Sequence, residues 1–490
     1  MTNLIGHHGG QDDRRTSKQE VSISPNYDTG KSGSRDWNRG RRCPGLGNQP
    51  RAGKTDNESQ EIGVTKRPSA SATFIRDSRR QLPGGRGPGR RDSSLANSDL
   101  NSFIARGMLS VQTRQEIDVE KAVAQLATFP YRKKPFSQRN WGHPLHFLCS
   151  YQGKLKPSIA YFLVKLFTTE GQVVLDPFSG VGTIPFEASM AGRKGIGLDI
   201  NPIAYHNTRA KVNPPALLEA LKQVDELDEY IKTAKLRIEV ARTADNFITR
   251  FYHKKTLNEI LLAKQYFIDR RDQDGKLSLL IASTLHILHG NRPYALSRRS
   301  HGLTPLAPSG AFVYKSLTKS LRDKVGRSFK KPIPSNFMRG EAVMGTVFKM
   351  PFKRGSIGAI ITSPPFLNST RFFANNRIRL WFCGWEYQEQ NEKRREFLEE
   401  QQRKDVMIYS KVFAEFNRVL GDEALCVLHI GVVENIDMVK LLIPLAEAKG
   451  FKKVDTVYED VSNLESHGMT DQGATKLHAF MILRKDHSVG

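Results

Sequence analysis

Cysteine is scarce in this chain. Its four cysteines, Cys43, Cys149, Cys383 and Cys426, stand far apart, and none is paired at the short spacing of a zinc module. No metal centre is expected, and scattered thiols suit a reducing compartment. Long apolar runs are also missing. The longest candidate, Leu277 to Leu288, is too short to cross a bilayer and reads as a core helix closing at Gly290. No apolar signal region opens the chain, and Asp12 and Asp13 come early, which argues against export or organelle import. The expectation is a cytoplasmic protein with no membrane partner. Acidic residues are in deficit, 50 against 75 Lys and Arg, for a net charge of +25. Residues 1–100 hold 18 basic against 11 acidic residues, a net of +7, so +18 remains for the rest. Most of the basicity therefore lies in the part that should fold, and its field favours a polyanionic partner.

Hydrophobic residues make up only 38% of the chain, low enough that a segment should stay unfolded. Residues 1–115 fit that description. They are rich in Gly, Ser, Arg, Asn and Asp, as in RGPGRR at 86–91, and read as a disordered basic arm. Structure is expected from about Asp118, with a helix over Val119–Ala127 and another beginning at Pro157, whose Ile159, Phe162, Leu163 and Leu166 recur at helical spacing.

The chain is organised around VVLDPFSGVGTIPFEA, Val173 to Ala188. Val173 to Leu175 read as a short buried strand closed by Asp176. A turn follows with Gly180 and Gly182, then a helix from near Pro185. Lys194 to Leu198 form a second strand ending in Asp199, 23 residues after Asp176. Strand, glycine turn, helix, strand and acid open a doubly wound α/β domain, and such an acid can accept hydrogen bonds from ribose hydroxyls.

DPFSGVGT followed by GLDINP resembles the cofactor site of the amino-group DNA methyltransferases, and ITSPPF, Ile361 to Phe366, resembles their second signature. The resemblance runs from about Trp141 to Lys485, apart from a middle insert. It implies a Rossmann-like seven-stranded sheet whose last strand is antiparallel, and S-adenosylmethionine as cofactor. Carried over residue by residue, it assigns cofactor contacts to Lys154, Asp176, Pro177, Phe178, Gly180, Gly182, Thr183, Asp199 and Asn201, with Tyr151 and Pro157 in the segment before the glycine turn. It implies catalysis by Ser363, Pro364, Pro365 and Phe366. Ser-Pro-Pro-aromatic is typical of cytosine N4 methylation in that family, and Asn or Asp in place of the serine is typical of adenine N6. Two positions depart from the pattern: Thr346 stands where the family often has an acid after the third strand, and Gly358 where it often has Asp. Weaker holding of the cofactor is the expectation.

The chemistry fits the residues. The lone pair of an exocyclic amine is delocalised into the base ring. Two acceptors on its N–H groups, the Ser363 hydroxyl and the Pro364 carbonyl, can tilt the nitrogen towards sp³. The prolines remove competing N–H donors, Phe366 can stack on the base, and positioning is the main catalytic effect. No Pro-Cys nucleophile of the carbon-5 cytosine enzymes is present, and none is needed. A base in a duplex must first leave the stack.

Domain boundaries are expected at 1–115 (arm), 116–212 (cofactor half), 213–341 (insert) and 342–490 (SPPF half). The insert should be helical over Pro215–Val240, Thr256–Ile268 and Lys276–His289, then loop-rich. From His286 to Arg339 it has eleven Lys or Arg against one acid, Asp323, interleaved with Tyr294, Phe312, Tyr314, Phe329 and Phe337. Bases can stack on such rings while basic groups hold phosphates. Arg292, Arg298, Arg299, Lys315 and Arg371 are the candidate nucleic-acid contacts. DNA is the expected partner and a nucleoid-associated location follows. RNA and a restriction partner stay open, as do adenine N6 chemistry, RNA amine methylation and a non-catalytic nucleic-acid-binding role.

Overall fold

VVLD at 173–176 is buried at three of its four positions, and it becomes the middle of the sheet. The computed structural model describes residues 116–486 except 271–273, 303, 368–371, 434–435, 462–464, 467–468 and 471–474. The expectations for the arm at 1–115 and for Arg371 lie outside the described residues. The strands are β1 (Val173–Asp176), β2 (Lys194–Asp199), β3 (Glu341–Met344), β4 (Ile357–Thr362), β5 (Leu420–Val433), β6 (Phe451–Asp460) and β7 (Thr475–Lys485). They lie in the order β3-β2-β1-β4-β5-β7-β6, with a two-residue strand, Ile436–Asp437, paired to the end of β5. β1 to β5 are parallel, while β7 runs antiparallel to both β5 and β6. This is the seven-stranded methyltransferase sheet, and its order reverses between β1 and β4, where such sheets bind ligands.

Side chains alternate across the sheet, as the two-residue strand period requires. Leu175, Ile360, Cys426 and Leu428 join one core, with the helix Tyr409–Val419. Val174, Ile361, Val427 and Ile482 join the other, with the helices α1 (Val119–Leu126), α2 (Pro157–Phe167) and α3 (Thr183–Met190). Each fully buried aliphatic of this kind contributes about 1.5–3 kcal/mol.

Between β2 and β3 the chain leaves the sheet. α4 (Pro202–Val212) starts at an Asn201 cap. Then come α5 (Leu217–Thr233), α6 (Lys254–Arg270), α7 (Ser278–Ile287) and α8 (Leu317–Ser328). These helices share a core with Ile203 and Ala210 of α4 and with Ile378, Leu380 and Trp381 of α9 (Phe372–Phe382). The excursion is thus packed into the domain.

Three expectations need correction. The helix after the glycine turn starts at Thr183, two residues before Pro185, with Gly182 as its left-handed cap. Pro215–Val240 is broken at Ala234, which turns extended before Ile238. The region after Lys315 is not all loop: Ser316 caps α8, whose Leu317, Leu321 and Val325 face the core at four-residue spacing. Residues 394–408 form only short helical pieces before the helix Tyr409–Val419, and Phe397, extended between two of them, packs its ring against Phe372 and Phe373 at 5.3 and 4.9 Å.

Candidate active site

The carboxyl ends of β1, β2 and β4 open into one cleft of about 2060 Å³, larger than the roughly 300–1,000 Å³ of a site for one small ligand. A nucleotide-sized cofactor leaves room here for a second group.

Asp199 ends β2 on the cleft wall, beside Gly180 and Asn201. Its Oδ2 accepts the Gly180 N–H at 2.9 Å. Its Oδ1 accepts from Asn201, through the backbone at 3.2 Å and the side chain at 2.6 Å. The carboxylate stands on the cleft wall, where a ligand hydroxyl can reach it. Asn201 is itself fixed by capping α4, its Oδ1 accepting the Ala204 N–H at 2.8 Å. Burial pushes the Asp199 carboxyl up to about 6, even though its N–H donors favour the charged form.

Asp176 has a different place. It is buried and does not line the cleft. Its Oδ1 accepts the Thr362 hydroxyl at 2.6 Å and the Phe178 N–H at 3.2 Å, and burial lifts it to about 7. It ties the end of β1 to the residue before Ser363, joining the two signatures. Gly182 also turns away from the cleft. Its φ is +69°, and a Cβ there would lie 2.7 Å from the Thr208 Cα of α4, so a glycine is needed for helix packing and not for ligand approach. Thr183 is buried outside the cleft lining. Pro177, Phe178, Gly180 and Lys154 do line it. Lys154 Nζ donates to the His146 carbonyl at 2.7 Å, and burial lowers it to about 8. Tyr151, also on the wall, has its ring 3.6 Å from where a Gly180 Cβ would be.

Thr346 lines the cleft just after β3, and its Oγ1 accepts the Phe348 N–H at 3.3 Å. It can offer a hydroxyl, not a carboxylate, to a group at that end. Gly358 is set back from the cleft. It is absent from the cleft lining and faces Gln172, whose Nε2 donates to the Gly358 carbonyl at 2.7 Å.

Ser363, Pro364, Pro365 and Phe366 leave β4 on the same cleft wall. Behind Ser363 stands a residue that motif reading missed. His429 of β5 is buried, and its Nδ1 lies 3.0 Å from the Ser363 Oγ. Phe366 packs against the rings of His429 and His478, with centroids at 5.6 and 5.9 Å. It also lies over Gly431, where a Cβ would come within 2.6 Å of the Phe366 ring. Glu459, ion-paired to Arg132, approaches His478 Nδ1 at 3.6 Å. The available signal was a lone histidine inside the apolar run CVLHI at 426–430.

The basic candidates separate. Arg292 is exposed on the cleft wall. Arg298 donates to the Gly310 and Arg250 carbonyls and lies over the Phe312 ring, while Lys315 donates to the Ala295 and Ser297 carbonyls. Both pin loops. Arg299 is exposed but outside the cleft lining. Of the five interleaved aromatics only Tyr294 reaches the cleft, where it stacks on His286 at 5.2 Å. The rim instead presents Arg139, Arg327, Lys330 and Lys331, all exposed. Among the described residues there is no acidic, histidine or cysteine cluster able to hold a metal ion, and no helix is long and apolar enough to cross a membrane.

Asp199→Ala removes the carboxylate from the cleft wall. S-adenosylmethionine affinity should fall about ten- to 150-fold, the worth of about 1.5–3 kcal/mol for a hydrogen bond to a charged group. In the wild type, affinity should also weaken as pH drops through about 6, because protonation removes the charge that a ribose hydroxyl meets. Calorimetry giving the same affinity for a folded mutant would take Asp199 out of the site.

Residues 132–209 match the family model described as DNA methylase. A curated relative, the tRNA (guanine(10)-N2)-dimethyltransferase of Methanocaldococcus jannaschii, is 33% identical over 103 residues, which is 21% of this chain and 29% of that protein. The chain thus spans under a third of that relative's length. Similar solved structures include a SAM-dependent methyltransferase from Methanosarcina mazei, at 10% identity and a TM-score of 0.29, covering 66% of this chain and 97% of that one. Another is the 16S rRNA (adenine(1408)-N(1))-methyltransferase from Catenulisporales acidiphilia, at 8% identity and a TM-score of 0.26, covering 69% and 94%. The fold assignment rests on the strand order. Set on that sheet, residues 132–209 are similar to the amino-group DNA methylase family, whose cofactor is S-adenosylmethionine.

Proposed function

We propose that the chain methylates an exocyclic amino group of a base in DNA, with cytosine N4 as the target atom. One observation carries this reading: Ser363 and Phe366, at the end of β4, share a cleft with Asp199 and Gly180, at the ends of β2 and β1. S-adenosylmethionine supplies the electrophilic methyl group. The chain's own residues do the rest. Asp199 and the Gly180 turn hold the ribose side, Thr346 offers its hydroxyl at the β3 end, and Ser363 with the Pro364 carbonyl accepts the N–H groups of the target amine. Phe366 stacks on the extruded base, which offsets about 1–3 kcal/mol of the cost of leaving the duplex. The serine of SPPF favours cytosine over adenine N6 by resemblance.

A second reading, amine methylation in RNA, is favoured by the likeness to a curated tRNA dimethyltransferase. Labelled-methyl transfer to mixed DNA and to RNA, followed by nucleoside analysis, tests both. N4-methylcytosine in DNA is the expected product. N6-methyladenine would refute the base assignment, and label in RNA alone would refute the DNA reading.

The rim gives a separate expectation. Arg139, Lys330 and Lys331 are exposed and have no ion-pair partner among the described residues. Neutralising all three should weaken binding to every sequence and flatten the salt dependence by nearly one unit of slope per residue. An unchanged slope in filter-binding titrations would move the phosphate contacts elsewhere. Arg298 and Lys315 variants should lose stability instead, since their donors are bound to carbonyls.

A further inference from the structure

The registers of four strands converge behind Ser363. Ile361 pairs with Val427 and Thr362 with Leu428, so the next residue of each strand brings Ser363 beside His429. On the far side of β5, Phe480 of β7 pairs with His429 and His478 with Gly431, and His478 pairs in turn with Glu459 of β6. The His429 ring is enclosed by three rings, His478 at 4.7 Å, Phe480 at 5.1 Å and Phe366 at 5.6 Å. It has no room to turn, and burial with the neighbouring His478 keeps it neutral. Its Nδ1 meets Ser363 Oγ at 3.0 Å, while its Nε2 is buried with no hydrogen-bond partner among the described residues. A neutral imidazole carries one N–H. An N–H buried without an acceptor is rarer than an under-used lone pair, so the proton belongs on Nδ1.

We propose that His429 is the positioning residue for Ser363: it donates from Nδ1 into one lone pair of the hydroxyl and turns the other towards the target amine. This deepens the reading of Ser363 as an acceptor and rests on it. A serine hydroxyl rotates freely, and an acceptor that spends its time pointing elsewhere does little to tilt the nitrogen. His429 is buried in the cleft wall behind Ser363, and its proposed action runs through that hydroxyl. Its effect should appear in turnover and not in the binding of either substrate.

The test pairs activity with spectroscopy. Asn places an amide N–H near the Nδ1 position, and Leu places none. His429→Leu should lower kcat about three- to tenfold, the worth of one neutral hydrogen bond, with cofactor Kd and DNA KM unchanged. His429→Asn should stay within about twofold of wild type. In a Ser363→Ala background, His429→Leu should add less than about twofold, because the partner is already gone. Independent factors that multiply, or equal losses in the Asn and Leu variants, would overturn the proposal. Nitrogen-15 histidine spectra of the cofactor-free protein supply a readout that needs no turnover. His429 should show a protonated Nδ1 whose resonance moves in Ser363→Ala. A protonated Nε2, or a resonance blind to Ser363, would overturn it as well. A wild type that methylates no nucleic acid refutes the proposed function, and the spectra then still decide whether the hydrogen bond exists.

Discussion

Phe366→Ala is expected to slow methyl transfer about five- to 150-fold, with cofactor affinity unchanged. The range follows from the stacking of one base on one aromatic ring, about 1–3 kcal/mol. The ring is well placed for it. His429 and His478 hold it edge-on from behind, Gly431 lets it lie close against β5, and it still borders the cleft. Phe366→Tyr keeps the stacking face and should keep most of the rate. A melting curve distinguishes a lost stacking surface from a lost fold. Steady-state rates on DNA are the measurement, and a folded Phe366→Ala enzyme running at wild-type speed would mean that the base stacks elsewhere in the cleft.

Gly182→Ala should destabilise the protein by about 2–5 kcal/mol, a large share of the roughly 5–15 kcal/mol that holds a typical domain together. Two costs combine. A residue with a Cβ in the left-handed region costs about 1–2 kcal/mol, and Gly182 sits at φ +69°. Overpacking adds about 1–3 kcal/mol, because the new methyl would meet the backbone of Thr208, which cannot swing aside. Gly171→Ala provides the control. Gly171 has a similar φ of +76° but nothing within 4 Å of its would-be Cβ, so it should lose only the backbone cost. Denaturant titration of the two variants measures the difference, and equal losses would mean that packing on α4 contributes nothing.

Much of the sheet was legible because strand ends carry local signals. VVLD, KGIGLD and IITSPPF each stop at a residue with a chemical reason to sit at a sheet edge. Ser363, Phe366, Asp199 and Gly180 could be named from such stretches, and they do border one cleft. What could not be read was side-chain direction. Asp176 and Gly182 lie in the same motif as Gly180, yet one points at Thr362 and the other at Thr208. His429 was invisible for another reason. It meets Ser363 only through the pairing of β4 with β5, strands separated by several helices. The basic run of the insert misled because charge density says nothing of occupancy: Lys315 and Arg298 spend their donors on carbonyls and Lys331 donates to the Gly142 carbonyl at 3.4 Å, whereas Lys330, from the same run, stands exposed on the rim.

The excursion that begins after α4 ends where it began. Gly340 N–H donates to the Val212 carbonyl at 2.8 Å, so the two stems of the whole segment 213–339 are clasped by one backbone hydrogen bond. By connectivity alone it could be cut out and the stems joined by a tight turn, without moving a strand. Energetically it could not, because Ile203 and Ala210 of α4 and Ile378, Leu380 and Trp381 of α9 would then face water. A shortened version of this protein would have to repaint those two helices with polar residues before it could stay soluble. The excursion is easy to detach on a topology diagram, and the apolar side chains it covers, those five among them, keep it attached.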